Sequence, residues 1–338
     1  MVNFLSKNMS LSVQPRNTYI DFLRAFGLLL LVVAHTWPPI WLGTIRTFDV
    51  PLMVFISAIC YKPLRGGYLT YEIKRLKRIY IPVSIFLTLF FLAIFIVFFI
   101  IGKPMIEFRI IIGSYLLFNN PSIGYVWIMR VFLMIALILP LLHKWLDSLD
   151  CTISIIVIFA IIGLQHYLVG MIYSVDNKII RFILDETLLY AFGYCSVAVL
   201  GLKIRQFRNN ALMAIILISG IAVFCFVCLH NWTFDPQQYK YPPQSLYLLY
   251  GIFASSLLWS LKSVLEPIAK GRFFAYLSEN SMWIYLWHII PVYAISHWSD
   301  IPNMWLGRYC IVLISAVCLN YIYQICVVQM KKIYKKLV

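Results

Sequence analysis

The sequence predicts an all-α bundle of about ten transmembrane helices, and three observations predict it. Hydrophobic residues fill 62% of the 338 positions and charged residues only 12%, about half the charged share of a soluble domain. Mean hydropathy is +0.86. Apolar runs recur near the length of about 20 residues that a helix needs to cross a bilayer, with short charged segments between them. Lipid is therefore the main solvent this chain must satisfy.

Taken in order, the first predicted span covers 20–37 and the second 47–63, followed by a loop rich in Lys62, Arg65, Lys74, Arg75, Lys77 and Arg78. Spans at 79–101 and 122–142 come next, the latter ending at Lys144. Spans at 151–171 and 183–200 precede Lys203, Arg205 and Arg208. Those at 211–229 and 244–261 precede Lys262, Lys270 and Arg272. The last two, 280–297 and 306–326, lead into a tail with Lys331, Lys332, Lys335 and Lys336. The alternate loops hold only scattered cations such as Arg46, Lys103, Arg109, Lys178, Arg181, Lys240 and Arg308. By the positive-inside rule both termini are expected in the cytoplasm.

Residues 103–121 break the pattern, because Lys103, Glu107 and Arg109 interrupt an apolar segment too short to span. An interfacial or re-entrant element is expected there. Trp37, Trp41, Trp232, Trp298 and Trp305 fall at predicted outer ends, where an aromatic belt belongs. One membrane domain over 1–338 is expected, with a cytoplasmic tail at 1–19 and a basic one at 327–338. No internal repeat or low-complexity tract stands out.

The formal charge of +15 and the sequence pI near 9.4 would fit a nucleic-acid partner. The basic residues sit in alternate loops rather than on one soluble face, which excludes that class. Most of the eight cysteines lie in apolar stretches and behave as small hydrophobes. Cys225 and Cys228 form a CxxC without a second pair or a ligand-spaced histidine, so no metal is expected. Lys7 and Arg16 precede no short apolar core with a small-residue cleavage site, so a removable signal peptide is not expected.

The first span reads Tyr19-Ile-Asp21-Phe-Leu-Arg24-Ala-Phe-Gly27 and continues apolar to His35. Ionisable groups in a hydrocarbon-length helix are costly and usually functional. Eleven residues separate Arg24 from His35, about three helical turns or roughly 16 Å, on a similar face. One side chain can hold a ligand's anionic end while the other meets its reactive end. The alternative stays open that Arg24 snorkels and pairs with Asp21, while His35 bonds a neighbouring helix. A neutral imidazole in such a setting suits a general base.

This Arg-x10-His element resembles the first-helix motif of the acyltransferase-3 family of membrane acyltransferases. Asp49-Val-Pro51-Leu-Met-Val-Phe55-Ile-Ser57-Ala58 is similar to the family's second-helix segment, with Ala58 where the family has glycine. Lys74-Arg75-Leu-Lys77-Arg78-Ile-Tyr-Ile-Pro82 resembles its basic lead-in to the third helix. Val126-Trp127-Ile with Leu139-Pro140-Leu is similar to its Trp-to-Pro helix. Leu277-Ser278-Glu279-Asn280-Ser281-Met-Trp-Ile-Tyr285-Leu-Trp-His288 resembles its late Ser-Tyr-Leu-His segment.

The resemblance implies a multi-pass protein of the bacterial inner (plasma) membrane that moves an acetyl group from cytoplasmic acetyl-CoA to a hydroxyl of a surface glycan. O-antigen, capsule or a lipid-linked precursor would be the acceptor. It further implies that His35 activates that hydroxyl or carries the acetyl group, and that Arg24, Arg75 and Arg78 bind the phosphates of CoA. Plain topology signalling explains Arg75 and Arg78 equally well. Ser57 either meets the thioester or bonds its own helix. Tyr285 and His288 either line the acceptor side or orient groups near His35, or else sit at the interface beside Trp287.

The loop from Asn231 to Gln244 mixes Trp232, Asp235, Tyr239, Lys240 and Tyr241 with polar groups, and is a candidate for sugar recognition together with Tyr285 and His288. His143, His166, His230 and His297 read as interfacial, and Gly66-Gly67 as a turn. Two rival readings remain: a glycan transporter with Arg24 and His35 on its path, or the same fold moving another acyl group such as succinyl.

Overall fold

A computed structural model describes residues 17–63, 66–297 and 304–337. Lys7, Arg16, Arg65 and Trp298 lie outside the described residues, as do the side chains of His297, Lys331, Lys335 and Lys336.

The chain folds as an all-α polytopic bundle, and each of the ten predicted spans corresponds to a helix. These are α1 (Thr18–Ala34), α3 (Asp49–Ile59), α4 (Gly67–Ile101), α6 (Trp127–Leu146), α7 (Cys151–Tyr173), α9 (Tyr190–Lys203), α10 (Asn209–Leu229), α11 (Ser245–Ser260), α14 (Ser281–His297) and α15 (Trp305–Leu337). Short helices intervene: α2 (Ile40–Ile45), α5 (Phe108–Tyr115), α8 (Lys178–Leu184), α12 (Lys262–Ala269) and α13 (Arg272–Glu279). Among the described residues, seven helices or helix pairs are long and apolar enough to cross a membrane alone, and α11 with α12 makes an eighth bent by 73°.

Burial sorts these helices into two groups. α3 and α9 are mostly buried and pack on each other, and α3 also packs on α1 and α11. α4, α10 and α15 are as apolar but mostly exposed, which is how a helix apolar all round behaves when lipid covers it. Close approach at the centre depends on small residues. A Cβ on Gly201 of α9 would lie 2.7 Å from Ala58 Cβ, and one on Gly251 of α11 would lie 2.5 Å from Pro51 Cβ.

Local chemistry sets the helix ends. Asn17 caps α1 by accepting from the Ile20 amide at 3.2 Å, and Asp150 caps α7 by accepting from Ile153 at 2.7 Å. α1 stops at Ala34, so His35 is its C-cap rather than an interior residue. Pro38 and Pro39 follow and cannot continue the helix.

The interrupted segment holds α5, only eight residues long, about 12 Å at the usual rise and too short to span. Buried polar groups tie the bundle together where lipid offers no partner. Gln165 of α7, fully buried, donates to the carbonyls of Leu189 at 3.0 Å and Pro243 at 2.8 Å. Arg130 of α6 pairs with Glu186 in the π turn between α8 and α9, and its guanidinium lies 4.7 Å from the Tyr190 ring centre.

Candidate functional site

The site grows from the two ends of α1. At its N-terminal end Arg24, on the second turn, is about one-quarter exposed and is held from three sides. Its Nη1 donates to Ser278 Oγ at 3.0 Å, the Ser278 hydroxyl donates to Asp21 Oδ1 at 2.6 Å, and Arg24 lies 3.7 Å from Asp21. Nη2 reaches Cys60 Sγ at 3.2 Å. α13 supplies Ser278 because it packs along α1, so the late Ser-Tyr-Leu-His segment and the first-helix arginine meet in space.

The neighbours of Cys60 in sequence, Ile59 and Tyr61, line a cleft of about 190 Å³ whose other walls include His143, Lys203 and Arg205. Tyr61 meets His143 edge-on at 5.3 Å and Tyr71 at 5.3 Å, and the Arg75 guanidinium sits 5.2 Å from the Tyr71 ring. Arg75 is thus one aromatic ring removed from the cleft, whereas Arg78 is exposed on α4. Ser57 lies one turn before Cys60, and the run of α3 carries it toward the Arg24 end. The structure does not bring Ser57 to His35.

At the other end of α1, His35 is half-buried among aromatic rings. Its ring centre lies 4.8 Å from Tyr125, edge-on, and 5.3 Å from His288. Tyr285 donates its hydroxyl to the Tyr125 carbonyl at 2.6 Å. His288 is fully buried, with Nδ1 bonded to the Tyr285 carbonyl. A carbonyl only accepts, so in the neutral ring Nδ1 carries the hydrogen and Nε2 keeps a lone pair. Among the described residues that buried Nε2 has no hydrogen-bond partner. His288 and Tyr285 thus stand together in the interior beside His35. Trp287 instead stacks on Trp283 at 5.9 Å and meets Phe86 edge-on at 5.7 Å.

Beside this pair lies an ion cluster that the sequence concealed in its loops. Arg46 bonds Asp49 at 2.6 Å and Lys240 lies 3.4 Å from the same carboxylate, all three being nearly inaccessible. Lys240 Nζ also sits 5.6 Å from the ring centres of both Trp127 and Tyr241, which meet edge-on at 5.1 Å. Two cations against one carboxylate leave one positive charge in excess. The signal that could have found them was the pairing of Arg46 with Asp49 three residues on, where an isolated membrane charge needs a partner. Tyr241 joins this cluster. Trp232 does not: it is 71% exposed and rests on Phe224 at 6.0 Å.

Between the two ends runs a cavity of about 70 Å³, lined by Leu28, Leu31, Met53, Met129, Met282 and Tyr285 among others. Leu28 is one turn beyond Arg24 and Leu31 one turn before His35, so the cavity lies along the stretch of α1 that separates them. Flexible methionines make its wall adaptable.

A family model described as an acyltransferase domain matches residues 17–324, a span that includes Arg24, Ser278, His35, His288 and the Arg46–Asp49–Lys240 cluster. Neither among curated proteins nor among solved structures does anything match the chain. The match covers nearly the whole chain, and the chain belongs to the acyltransferase-3 family of membrane acyltransferases.

Proposed function

We propose that the protein transfers an acetyl group from cytoplasmic acetyl-CoA to a hydroxyl of a cell-surface polysaccharide, or of its lipid-linked precursor, at the bacterial inner membrane. The observation that carries this reading is a fixed guanidinium toward one end of α1 and a histidine pair at the other, with a small cavity beside the turns between them. Acetyl-CoA has a matching polarity: phosphates and nucleotide at one end, a thin flexible arm, and a thioester at the tip.

The donor's phosphates meet Arg24 and its nucleotide rests in the cleft of Tyr61, His143 and Arg205, with Arg75 at the rim. Guanidinium forks match phosphate oxygens, and aromatic faces take a base. The arm follows the cavity toward His35. There the imidazole takes the proton of the acceptor hydroxyl while its oxygen attacks the thioester carbonyl. The C–S bond then breaks, CoA leaves as thiolate, and the thiolate recovers the proton from His35. His288 fixes the orientation of His35, and the excess charge of Arg46 and Lys240 steadies the developing oxyanion.

Purified protein supplied with radiolabelled acetyl-CoA and the cells' own surface glycan should label the glycan. His35→Ala should fold, bind CoA and lose about 10²–10⁴-fold of its transfer rate; normal transfer by that variant overturns the assignment. Thermal stabilisation by CoA separates this reading from a sugar transporter, which has no use for CoA. Mass analysis of glycan from cells with and without the protein reads the transferred group directly, acetyl or succinyl.

A further inference from the structure

The acyl transfer just proposed leaves α5 without a task, yet two hollows meet at it. The first is an apolar groove of about 330 Å³ between α4 and α5, with Phe91, Ile94 and Phe95 on one wall and Ile111 and Tyr115 on the other. The second, of about 370 Å³, is edged by Glu107, Ser122, Tyr125 and Ser296. Both are bounded by Met105 and Ile106, so they adjoin at these two residues.

The groove is built rather than incidental. Tyr80 donates to the Tyr115 carbonyl at 3.1 Å, and the Thr88 and Tyr115 hydroxyls lie 2.8 Å apart, which pins α5 to α4. On the other side of α5, a Cβ on Gly113 would overlap the Pro121 carbonyl, so the helix is seated against the loop that leads to Tyr125. Leu92 and Phe95 are more than half exposed on this flank of α4, which faces lipid. A molecule dissolved in the bilayer can enter the groove from this flank. The second hollow carries a carboxylate and hydroxyls, and its Tyr125 ring touches His35. A bulk lipid chain would satisfy the groove alone; the junction to a polar hollow beside His35 asks for a long apolar tail and a hydroxylated head in one molecule.

We infer that this path holds the acceptor as a lipid-linked sugar, its tail between α4 and α5 and its head beside Tyr125, within reach of His35. The inference rests on the proposed acyl transfer and selects the lipid-linked precursor over finished polysaccharide.

The test uses full-length protein in lipid nanodiscs with radiolabelled acetyl-CoA and one saccharide pool, either on its native lipid carrier or released from it by mild acid. The lipid-linked pool should be acetylated with a kcat/KM at least about tenfold above the released pool, a discrimination that one good tail contact supplies. Ile106→Trp and Phe91→Trp, which obstruct the junction and the groove, should each erase the preference while CoA-induced thermal stabilisation stays as in the wild type. Equal use of the two pools, or a preference that survives both substitutions, overturns the inference and leaves the acyl transfer standing. Transfer to neither pool, with no stabilisation by CoA, overturns the acyl-transfer reading itself.

Discussion

His35 and His288 supply the most discriminating test of the site. Their ring centres are 5.3 Å apart, and His288 presents a buried lone pair whose direction is fixed by its bond to the Tyr285 carbonyl. If His35 is the base and His288 acts through it, losing His35 removes general-base catalysis, a cost of about 10²–10⁴ in rate. Losing His288 removes orientation and leaves the Tyr285 carbonyl to find another partner, so a fall of about 10²-fold is expected. Independent roles would multiply to about 10⁴–10⁶ in the double variant. A functional unit predicts that the double variant is no worse than His35→Ala within about threefold, a coupling of about 2 kcal/mol or more. The assay is a double-mutant cycle of kcat in nanodiscs, with thermal unfolding of each variant recorded alongside. His288→Asn should recover part of the rate, because its amide can still donate to the carbonyl. Multiplicative losses, or a His288→Ala variant with wild-type kcat, would refute the paired arrangement.

Four further outcomes follow from the geometry. Arg24→Met should raise KM for acetyl-CoA by roughly 10- to 150-fold, the worth of a charge-assisted hydrogen bond of about 1.5–3 kcal/mol, with a smaller change in kcat; an unchanged KM would remove Arg24 from the donor site. Asp49→Ala strands Arg46 and Lys240 as buried unpaired cations and should cost about 3–5 kcal/mol of stability, read as a large drop in thermal midpoint. The exposed Glu107–Arg109 pair at 2.5 Å should by contrast matter by less than about 1 kcal/mol when Glu107 is changed to Ala. Gly201→Ala pushes a methyl against Ala58 and the Phe55 carbonyl, and the forced separation of α9 from α3 should destabilise by about 1–3 kcal/mol, measured by the same unfolding experiment.

Much of the fold was legible because lipid imposes a simple rule: spans must be apolar and helical along their whole length. All ten predicted spans correspond to helices, and the doubtful segment at 103–121 contains the short α5. The end of α1 was less legible. Apolar content alone carried the predicted span through His35, whereas Pro38 and Pro39 decided where the helix stops.

The sequence by itself determined the class of protein, the helices and the two ionisable residues, Arg24 and His35, that mark the two ends of the first span, since composition, spacing and motif are properties of neighbouring positions. Tertiary structure alone decided who stands beside them. It placed Ser278 on Arg24, His288 behind His35, and Lys240 on Asp49, 191 positions away. It left Trp232 on an exposed flank and Ser57 toward the donor end. Such partners are chosen by helix packing across the bundle, where a buried charge or lone pair must find its complement in a medium that offers none, and linear spacing carries no record of that choice.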